Sequence, residues 1–498
     1  MRLPYLRDIR RSALSFGIGG LRLLPSGSDG EMLAGEHLDF DQSPCLCPRE
    51  PLKAESVFEN PMGLVSHEGL AVFADGKVIY GGQEIGEISS GEKQTAVIGG
   101  RIVIFPDKAV LDCNEKKLVP MEITEEYGPV AFESGALKTG TSETAFSPGD
   151  GVEISGCVNH LSNNKSLVIR AVEQDRLVFD SEAFEEGEEQ LVTVKRRVPD
   201  LEVLCESGNR LWGCQGNTIY ASKLGDPMNF FVYDGLSTDS YALEVGSGGG
   251  FTACSHYSSH VIFFKEDMVY KLYGTKPSNY QLMSAFIPGV KKGCEKSLVT
   301  FSEDMYYLGR DAVYRYSGGV PENISLKLGR LFWEKASAIS LRGRYYISAE
   351  NEGVYVFDPQ SSAWLPYGAE EVCGLASFQG QGYLLDKEGC LYRMSGSAQE
   401  EEWSAEFCPF ADTSFSNDCW VSLVLGAEMP DGGWISVETR RDENSPWCRA
   451  ALFAGGRSGL FTASIPPNRG CGLLLRLKGG GRCVIRSLER RYLRGSGR

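Results

Sequence analysis

The chain has 498 residues, a net charge of −16, 59 glycines and aromatic residues at 10%. This length exceeds one ordinary core and predicts about three domains, unless a repeat architecture takes up more of the chain. The acidic balance argues against a general nucleic-acid binder, because neutralising phosphates needs clustered Lys and Arg. The glycines and the recurring runs of Tyr, Phe, Val and Ile favour an all-β fold.

Cysteine usage and the lengths of apolar runs bear on the compartment. The 15 cysteines are odd in number and scattered, and no signal-peptide pattern opens the chain. We therefore expect a reducing compartment in which most cysteines are small buried apolar residues. Cys45 and Cys47 are spaced too closely for a zinc-binding pair, and no apolar run reaches the length of about 18 residues that would span a membrane. The sequence predicts no metal, nucleotide or covalent cofactor.

Residues 1–60 have the composition of an irregular N-terminal arm. The arm contains GIGG at 17–20 and ends in PCLCPREP at 44–51. Because no strand-and-helix pattern follows GIGG, we interpret it as a turn and not as a phosphate-binding loop. Amphipathic helical stretches are scarce, and only 326–338 is a candidate short helix.

The clearest repeating unit is a β-meander at 201–222. Three apolar runs alternate there with the polar turns SGN at 207–209 and QGN at 215–217. Strands separated by tight turns are typical of an antiparallel sheet.

Similar units recur along the chain. Aromatic residues in the second run of successive units are 43, 39 and 37 positions apart, at Phe264, Tyr307, Tyr346 and Tyr383. A period of about 40 residues is typical of a propeller blade, and such units must stack because none buries both of its faces alone. A β-solenoid or two unrelated sandwiches remain the alternatives. We predict a β-propeller of about seven blades, within a range of six to eight, with candidate units at 69–88, 93–119, 201–233, 251–286, 296–324, 336–367 and 372–396.

Two further domains are predicted around the repeats. Residues 125–199 carry short runs at 152–154, 166–171 and 176–179, which favour a small β-barrel inserted at a loop tip, where long insertions cost little stability. Runs spaced ten to fifteen residues apart follow 396 and favour a β-sandwich. The predicted order is an arm at 1–60, first blades at 61–124, the inserted barrel at 125–199, further blades at 200–396 and a sandwich at 397–498.

Charge is unevenly distributed along the chain. Residues 469–498 hold nine Lys or Arg against one acidic residue, whereas 182–189 holds five Glu in eight residues. A solvated terminus is one interpretation, and contact between the two segments on neighbouring subunits is another. Deleting 486–498 would then weaken assembly more at low salt. The candidate interface residues are Glu185, Glu186, Glu188, Glu189, Arg486, Arg490, Arg491 and Arg494.

The middle of the chain resembles a known group of proteins. Its pattern is NRLWGC.GNTIYAS.LGDPMNF at 209–230, STDSYALEVGSGGGFTAC at 237–254, FFKEDMVYKLYGTKPSNYQ at 263–281 and MYYLGRDAVYRYSG at 305–318. In this order the motifs resemble structural proteins of tailed bacteriophages and prophages. The architecture is also similar to propeller-containing tail nozzle proteins, or tail tubular protein B, and to packaged-DNA stabilisation proteins.

The resemblance implies a non-enzymatic virion component of the head-to-tail connector or tail nozzle. Such a protein would form an oligomeric ring with other phage proteins around the channel through which double-stranded DNA leaves. It would be assembled in the bacterial host cytoplasm, would not insert in a membrane and would not read the DNA sequence. An acidic wall suits this role because like charges let DNA slide without sticking.

Two other functions stay open. A glycan-active enzyme on a propeller needs converging carboxylates, but the candidate Asp residues lie in turn contexts, where Asp is a turn former. A receptor-binding or glycan-binding tail protein would use exposed aromatic side chains, although Trp in β-rich cores more often serves packing. The Asp residues are Asp226, Asp239, Asp267, Asp311, Asp358 and Asp386, and the Trp residues are Trp364, Trp403, Trp420, Trp434 and Trp447.

Overall fold

The computed structural model describes residues 9–15, 19–24, 30–141, 143–396, 401–410, 418–442, 444–465, 469–470 and 473–493. The chain divides into two compact units, one of Met62–Glu295 and one of Met1–Pro61 with Lys296–Arg498. Within the described ranges, regular structure consists of strands and four short 3-10 turns. No helix in them is long and apolar enough to cross a membrane.

Five strands precede the first blade. They belong to the unit that also contains 296–498; three of them, β1, β2 and β5, pair with strands from the far end of the sequence, and β3 and β4 pair with each other. The arm is thus less irregular than the sequence predicts, because a long-range strand partner leaves no local pattern. The strands are β1 (Ile9–Ser15), β2 (Met32–Glu36), β3 (Leu38–Asp39), β4 (Cys47–Pro48) and β5 (Lys53–Val57).

The Met62–Glu295 unit begins with two four-stranded antiparallel meanders and a two-sheet insert. The insert's sheets, β14-β22-β17-β18 and β19-β20-β16-β15-β21, share one apolar core that includes Phe132, Phe179 and Phe184. Blade 1 has β6 (Pro61–Ser66), β7 (Leu70–Ala74), β8 (Lys77–Tyr80) and β9 (Gln83–Glu87); blade 2 has β10 (Gln94–Ile98), β11 (Arg101–Phe105), β12 (Ala109–Asp112) and β13 (Lys117–Pro120). The insert has β14 (Ile123–Tyr127), β15 (Val130–Glu133), β16 (Ala136–Lys138), β17 (Gly151–Ser155), the 3-10 turn Leu161–Asn163, β18 (Ser166–Val168), β19 (Ala171–Glu173), β20 (Arg176–Val178), β21 (Gly187–Glu189) and β22 (Val192–Arg196).

Two more meanders complete this unit. In the turn between the first two strands of blade 3, Gly208 and Asn209 have φ of 62° and 57°, and Ser207 pairs with Arg210. These are the positive angles of a two-residue hairpin turn, which Gly and Asn tolerate best. Blade 3 has β23 (Val203–Ser207), β24 (Arg210–Gln215), β25 (Thr218–Ala221) and β26 (Tyr241–Glu244); blade 4 has β27 (Ala253–Tyr257), β28 (His260–Phe264), β29 (Val269–Tyr273), the 3-10 turn Pro277–Asn279 and β30 (Gln281–Ala285).

The second unit contains three blades. Blade 7 takes its fourth strand from β5, in the order β39-β40-β41-β5. Of the short helix predicted at 326–338, the structure contains the 3-10 turn Leu326–Leu328, and the prediction is wrong for the remaining residues. This unit has the 3-10 turn Glu295–Ser297, then β31 (Val299–Phe301), β32 (Asp304–Leu308), β33 (Val313–Tyr316) and β34 (Glu322–Asn323) in blade 5; the turn Leu326–Leu328; β35 (Ser337–Leu341), β36 (Arg344–Ala349), β37 (Gly353–Asp358) and β38 (Ala363–Gly368) in blade 6; and β39 (Val372–Phe378), β40 (Gln381–Asp386) and β41 (Cys390–Arg393) in blade 7.

A sandwich of two sheets ends the described chain. One sheet has the order β1-β49-β43-β46 with β47 beside β43, and the other has the order β2-β42-β48-β44-β45. The chain's fold class, all-β with seven propeller-type blades, an inserted β-domain and a sandwich, is confirmed. The strands are β42 (Trp403–Phe410), β43 (Asp418–Met429), β44 (Trp434–Arg440), β45 (Cys448–Ala454), β46 (Arg457–Ser464), β47 (Arg469–Gly470), β48 (Leu473–Gly480) and β49 (Val484–Leu493).

Burial explains why the middle strands have so few polar residues. Every residue of β28 and β32 is buried, and fully buried strands contain few polar side chains. His260 and Asp304 are the polar residues in those strands. Asp304 accepts hydrogen bonds from Arg315 Nε at 2.8 Å and from Ser317 Oγ at 2.5 Å, so its charge is compensated.

A buried carboxylate fixes the segment between β3 and β4 against blade 6. Asp39 is 4% exposed and accepts hydrogen bonds from its neighbour's backbone N–H at 2.6 Å, from Tyr346 Oη at 3.1 Å and from Arg344 Nη1 at 3.2 Å. Burial, reinforced by the charge of Asp41, raises the pKa of Asp39 to about 6. The folded state therefore binds this proton more tightly than the unfolded chain does.

This pKa shift predicts a pH dependence of stability. The contribution of Asp39 is greatest below the unfolded pKa near 4, declines as pH rises to about 6, and is constant above it. Relative to Asp39→Asn, the wild type should lose thermal stability as pH rises from 4 to 6, while the exposed control Asp431→Asn should follow the wild type. Melting temperatures across this range check it; parallel wild-type and Asp39→Asn curves would contradict the assignment.

Candidate interaction site

The acidic segment 182–189 lies at one end of the insert. Glu185, Glu186 and Glu188 are exposed, and Glu188 lies on the edge strand β21, which pairs only with β15 in the described chain. Ser162 Oγ donates to Glu185 Oε2 at 2.7 Å, and Asn159 Nδ2 donates to the Glu188 carbonyl at 3.2 Å. The segments 156–163 and 185–191 therefore lie side by side.

Glu189 has a different role from its neighbours. It is 2% exposed, and its carboxylate accepts the backbone N–H groups of Val158, Asn159 and His160 at 3.1, 2.8 and 2.7 Å. Burial opposes its charge, but these N–H donors outweigh burial and lower the pKa of Glu189. The residue fixes a loop from inside, so its assignment to an intermolecular interface is wrong.

Most of the described residues of the basic segment form strands, and β49 is an inner strand of its sheet. β49 pairs with β1 on one side and β43 on the other. Arg490 is 5% exposed, with its guanidinium 5.0 Å from the Tyr492 ring centre and 6.0 Å from that of Trp420. Arg486 is exposed and pairs with Glu428 at 2.6 Å.

These positions correct the predicted interface. Arg490 is buried among aromatic rings, and Arg491 is half-buried and paired with Glu489 at 2.6 Å. Arg494 lies outside the described residues. Deleting 486–498 would remove most of β49, so its effect on assembly would report sandwich folding and not ionic contact. Glu185, Glu186, Glu188 and Arg486 remain exposed.

The motif LGDPMNF at 224–230 anchors the insert to blade 3. Asn229 is 1% exposed; its Nδ2 donates to Asp150 Oδ1 at 2.9 Å and its Oδ1 accepts the Gly151 N–H at 2.9 Å. Arg196, at the end of β22, donates to both Asp150 oxygens at 2.9 and 3.0 Å and to the Met121 carbonyl at 3.0 Å. Both ends of the insert are thus held by one buried polar network, a role the sequence pattern alone does not reveal.

A cavity of about 570 Å³ lies beside the glycine-rich loop before blade 4. Lys265, 5% exposed, donates from Nζ to Asn217 Oδ1 and Ser247 Oγ, both at 2.7 Å, and to the Gly249 carbonyl at 2.5 Å. Burial lowers the pKa of Lys265. Because the ammonium group of Lys265 donates its hydrogen bonds to these oxygens, it holds the loop in place. The side chain of Phe286 also lines the cavity and is exposed. The glycine-rich run VGSGGGF at 245–251 is the sequence feature that could have indicated this loop.

The candidate catalytic aspartates bind nearby backbone. Asp226 accepts Met228 N–H at 3.0 Å, Asp239 accepts Gly235 and Leu236 N–H at 2.6 and 3.0 Å, Asp358 accepts Ser361 N–H at 3.0 Å, and Asp386 accepts Cys390 N–H at 2.7 Å. Their predicted role as turn formers is confirmed at these four positions. Asp267 and Asp311 make other contacts. Within the described residues, no group of three or more His, Cys, Asp or Glu could hold a metal ion.

The clustered tryptophans serve mostly as packing. Trp364, Trp403 and Trp420 are each under 5% exposed. Trp447 is half-buried, and the guanidinium groups of Arg440 and Arg476 lie 4.4 and 4.3 Å from its ring centre. Burial and these cation–π contacts take up aromatic surface that a glycan site would need.

Together these features define an all-β, propeller-type protein with an anchored insert and a sandwich built from both chain ends. No protein-family profile and no curated protein match the chain. Among solved structures, the computationally designed Ika8 protein is 12% identical (69% of this chain, 99% of that chain, TM-score 0.36). BamB from Moraxella catarrhalis is 8% identical (74% and 98%, TM-score 0.35), and an exo-β-1,3-galactanase from Phanerochaete chrysosporium is 9% identical (58% and 94%, TM-score 0.24). Likenesses this weak carry no argument about function.

The anchor network predicts a specific local loss of stability. Asn229→Ala should leave Asp150 and the Gly151 N–H short of a partner, which costs about 1–3 kcal/mol. Hydrogen exchange should then accelerate in 147–155 and 192–197, and the exposed Asn114→Ala should change neither segment. Unchanged exchange in Asn229→Ala would contradict the anchoring role.

Two adjacent glutamates of β21 provide a matched pair of variants. Glu189→Ala removes the acceptor of three backbone N–H groups, so proteolysis within 156–163 should become faster, whereas the exposed Glu188→Ala should cleave at the wild-type rate. In the wild type, this protection should be full above pH 4.5 and should decline as the pH falls through the lowered pKa of Glu189. Equal cleavage rates in the two variants would refute it.

Proposed function

We propose that this chain is a non-enzymatic structural protein of a tailed-bacteriophage virion. It works in the head-to-tail connector or tail nozzle, as part of an oligomeric ring around the exit channel for double-stranded DNA. Its partners are copies of itself and other phage head-tail or tail proteins, and it is assembled in the bacterial host cytoplasm.

One observation supports this proposal most. The strands follow the order two blades, inserted β-domain, five blades and sandwich. This is the order in the phage proteins that the motifs at 209–318 resemble. One of those motifs, LGDPMNF, contacts the insert through the hydrogen bond from Asn229 to Asp150, so it helps to hold the element that interrupts the blades.

The charges of the chain suit a channel component. A net charge of −16 disfavours tight DNA contact and lets a duplex pass without sequence-specific binding. The turn-forming aspartates favour a structural role over acid–base catalysis, because their oxygens are engaged by backbone N–H groups of the same turns.

A glycan-binding tail protein is the second candidate, and one observation favours it. Phe286 is 84% exposed beside the cavity near Lys265. An exposed aromatic ring next to a cavity gives a sugar an apolar face to stack on. A glycan-active enzyme is the third candidate and would need carboxylates free of turn contacts.

The proposal is tested with the full-length chain, alone and co-expressed with portal-region proteins of a tailed phage. Mass photometry gives the stoichiometry, and negative-stain electron microscopy shows whether rings form. We expect closed rings, alone or with the partners, and no hydrolysis of a panel of bacterial surface glycans.

The alternatives give distinct results. Binding of a surface glycan that is lost in Phe286→Ala, with no ring under any condition, would favour the glycan-binding protein. A strict monomer that joins no phage component and cleaves a glycan would overturn the proposal in favour of an enzyme.

A further inference from the structure

The insert tip exposes apolar side chains next to its acidic ones. Val158, Leu161 and Leu191 are 77%, 71% and 53% exposed. Hydrogen bonds from 156–163 to 185–191 bring these residues together with Glu185, Glu186 and Glu188. We call this surface, formed by the three apolar and three acidic residues, the insert tip.

A surface with opposite charge lies on the sandwich. β45 and β46 each end their sheet and have one ladder partner in the described chain. The two strands meet where the Phe453 and Phe461 ring centres lie 5.2 Å apart. Their sequence neighbours Leu452 and Leu460, on the outward side of the alternation, are 56% and 76% exposed.

Two arginines of this sandwich surface form no ion pair with the described carboxylates. Arg449 and Arg457 are exposed, and in the described part of the chain neither has a carboxylate at ion-pair distance. The guanidinium of Arg457 lies 4.9 Å from the Phe461 ring centre, which holds it at the edge. The nearby carboxylate of Glu428 is already paired with Arg486. We call Arg449, Leu452, Arg457 and Leu460 the sandwich edge.

We propose that the insert tip of one copy docks on the sandwich edge of a second copy. Each surface combines exposed apolar side chains with charge of one sign, and the signs are opposite. Burial of the apolar side chains supplies most of the affinity in such contacts, whereas exposed ion pairs select the partner and the orientation. Both surfaces also include an open strand edge, which can add main-chain hydrogen bonds.

The contact is heterologous, because the two surfaces differ. Each copy keeps one free surface after pairing, so further copies add head to tail until the rotation closes a ring. This inference rests on the proposed function, and it identifies the contact between neighbouring subunits of the ring. It replaces the predicted contact between the segments 182–189 and 469–498, whose members Glu189 and Arg490 are buried within the chain.

Charge reversal and its rescue test the contact. The tip variant carries Glu185→Lys, Glu186→Lys and Glu188→Lys, the edge variant carries Arg449→Glu and Arg457→Glu, and a swap variant carries all five. A control carries Glu115→Lys, Glu244→Lys and Glu388→Lys, three exposed positions outside the tip. Self-association is measured by analytical ultracentrifugation at low and high salt, with melting temperatures to verify folding.

We expect the tip and edge variants each to weaken association by about tenfold or more at low salt, since one exposed pair is worth up to about fivefold. The loss should be smaller at high salt, the swap variant should regain wild-type association, and the control should match the wild type. An apolar variant, Leu161→Ser with Leu460→Ser, should weaken association at every salt concentration.

The two proposals fail differently. Wild-type rings that neither reversal affects, or a swap variant that stays dissociated while folded, would overturn the contact and leave the proposed function standing. If the chain forms rings only with portal-region proteins, the same variants are compared in that complex. A wild type that forms no oligomer alone or with phage proteins would overturn both.

Discussion

The structure depends on strand pairing between the two ends of the chain. Residues before the first blade supply β1 and β2 to the sandwich and β5 to blade 7, and their partners β49, β42 and β41 come more than 300 residues later. Closing so long a loop costs only slowly increasing entropy but makes folding late and slow. The ladder of β2 with β42 requires residues up to 410, and that of β1 with β49 requires residues up to 493. Folding of this unit therefore depends on strands that come late in the sequence.

The second constraint is the burial of charge. Arg196, Arg210, Lys265 and Arg490 are each at most 6% exposed, and each holds carbonyls, a carboxylate or aromatic rings of distant segments. Burying a cation costs several kcal/mol unless its donors find acceptors. These side chains therefore fix loops at defined positions, and removing one acceptor would leave an unpaired buried charge. The formal charge of a segment is therefore larger than the charge that its exposed side chains present to a binding partner.

Local chemistry was predictable, and long-range partners were not. The SGN turn at 207–209 and the aromatic spacing predicted the meanders and their number, because hairpin geometry and blade period depend on neighbouring residues. The role of Glu189 depends on three N–H groups about thirty residues away, and that of Arg490 on Trp420. The pairing of β1 has no local signature either. Charge counts predicted an interface that included Glu189 and Arg490, but both side chains make their contacts inside the folded chain.

The side chains that stay exposed in the folded chain determine how two copies can bind each other. The insert tip and the sandwich edge together offer five apolar side chains, far fewer than a stable dimer interface with about twenty residues a side. One such contact alone would be weak and reversible. In a closed ring, however, every copy is held at two surfaces, so losing one requires breaking two contacts at once, and effective concentration favours rebinding. Weak heterologous contacts would thus let misplaced subunits leave during assembly, while ring closure supplies the stability that a single contact lacks.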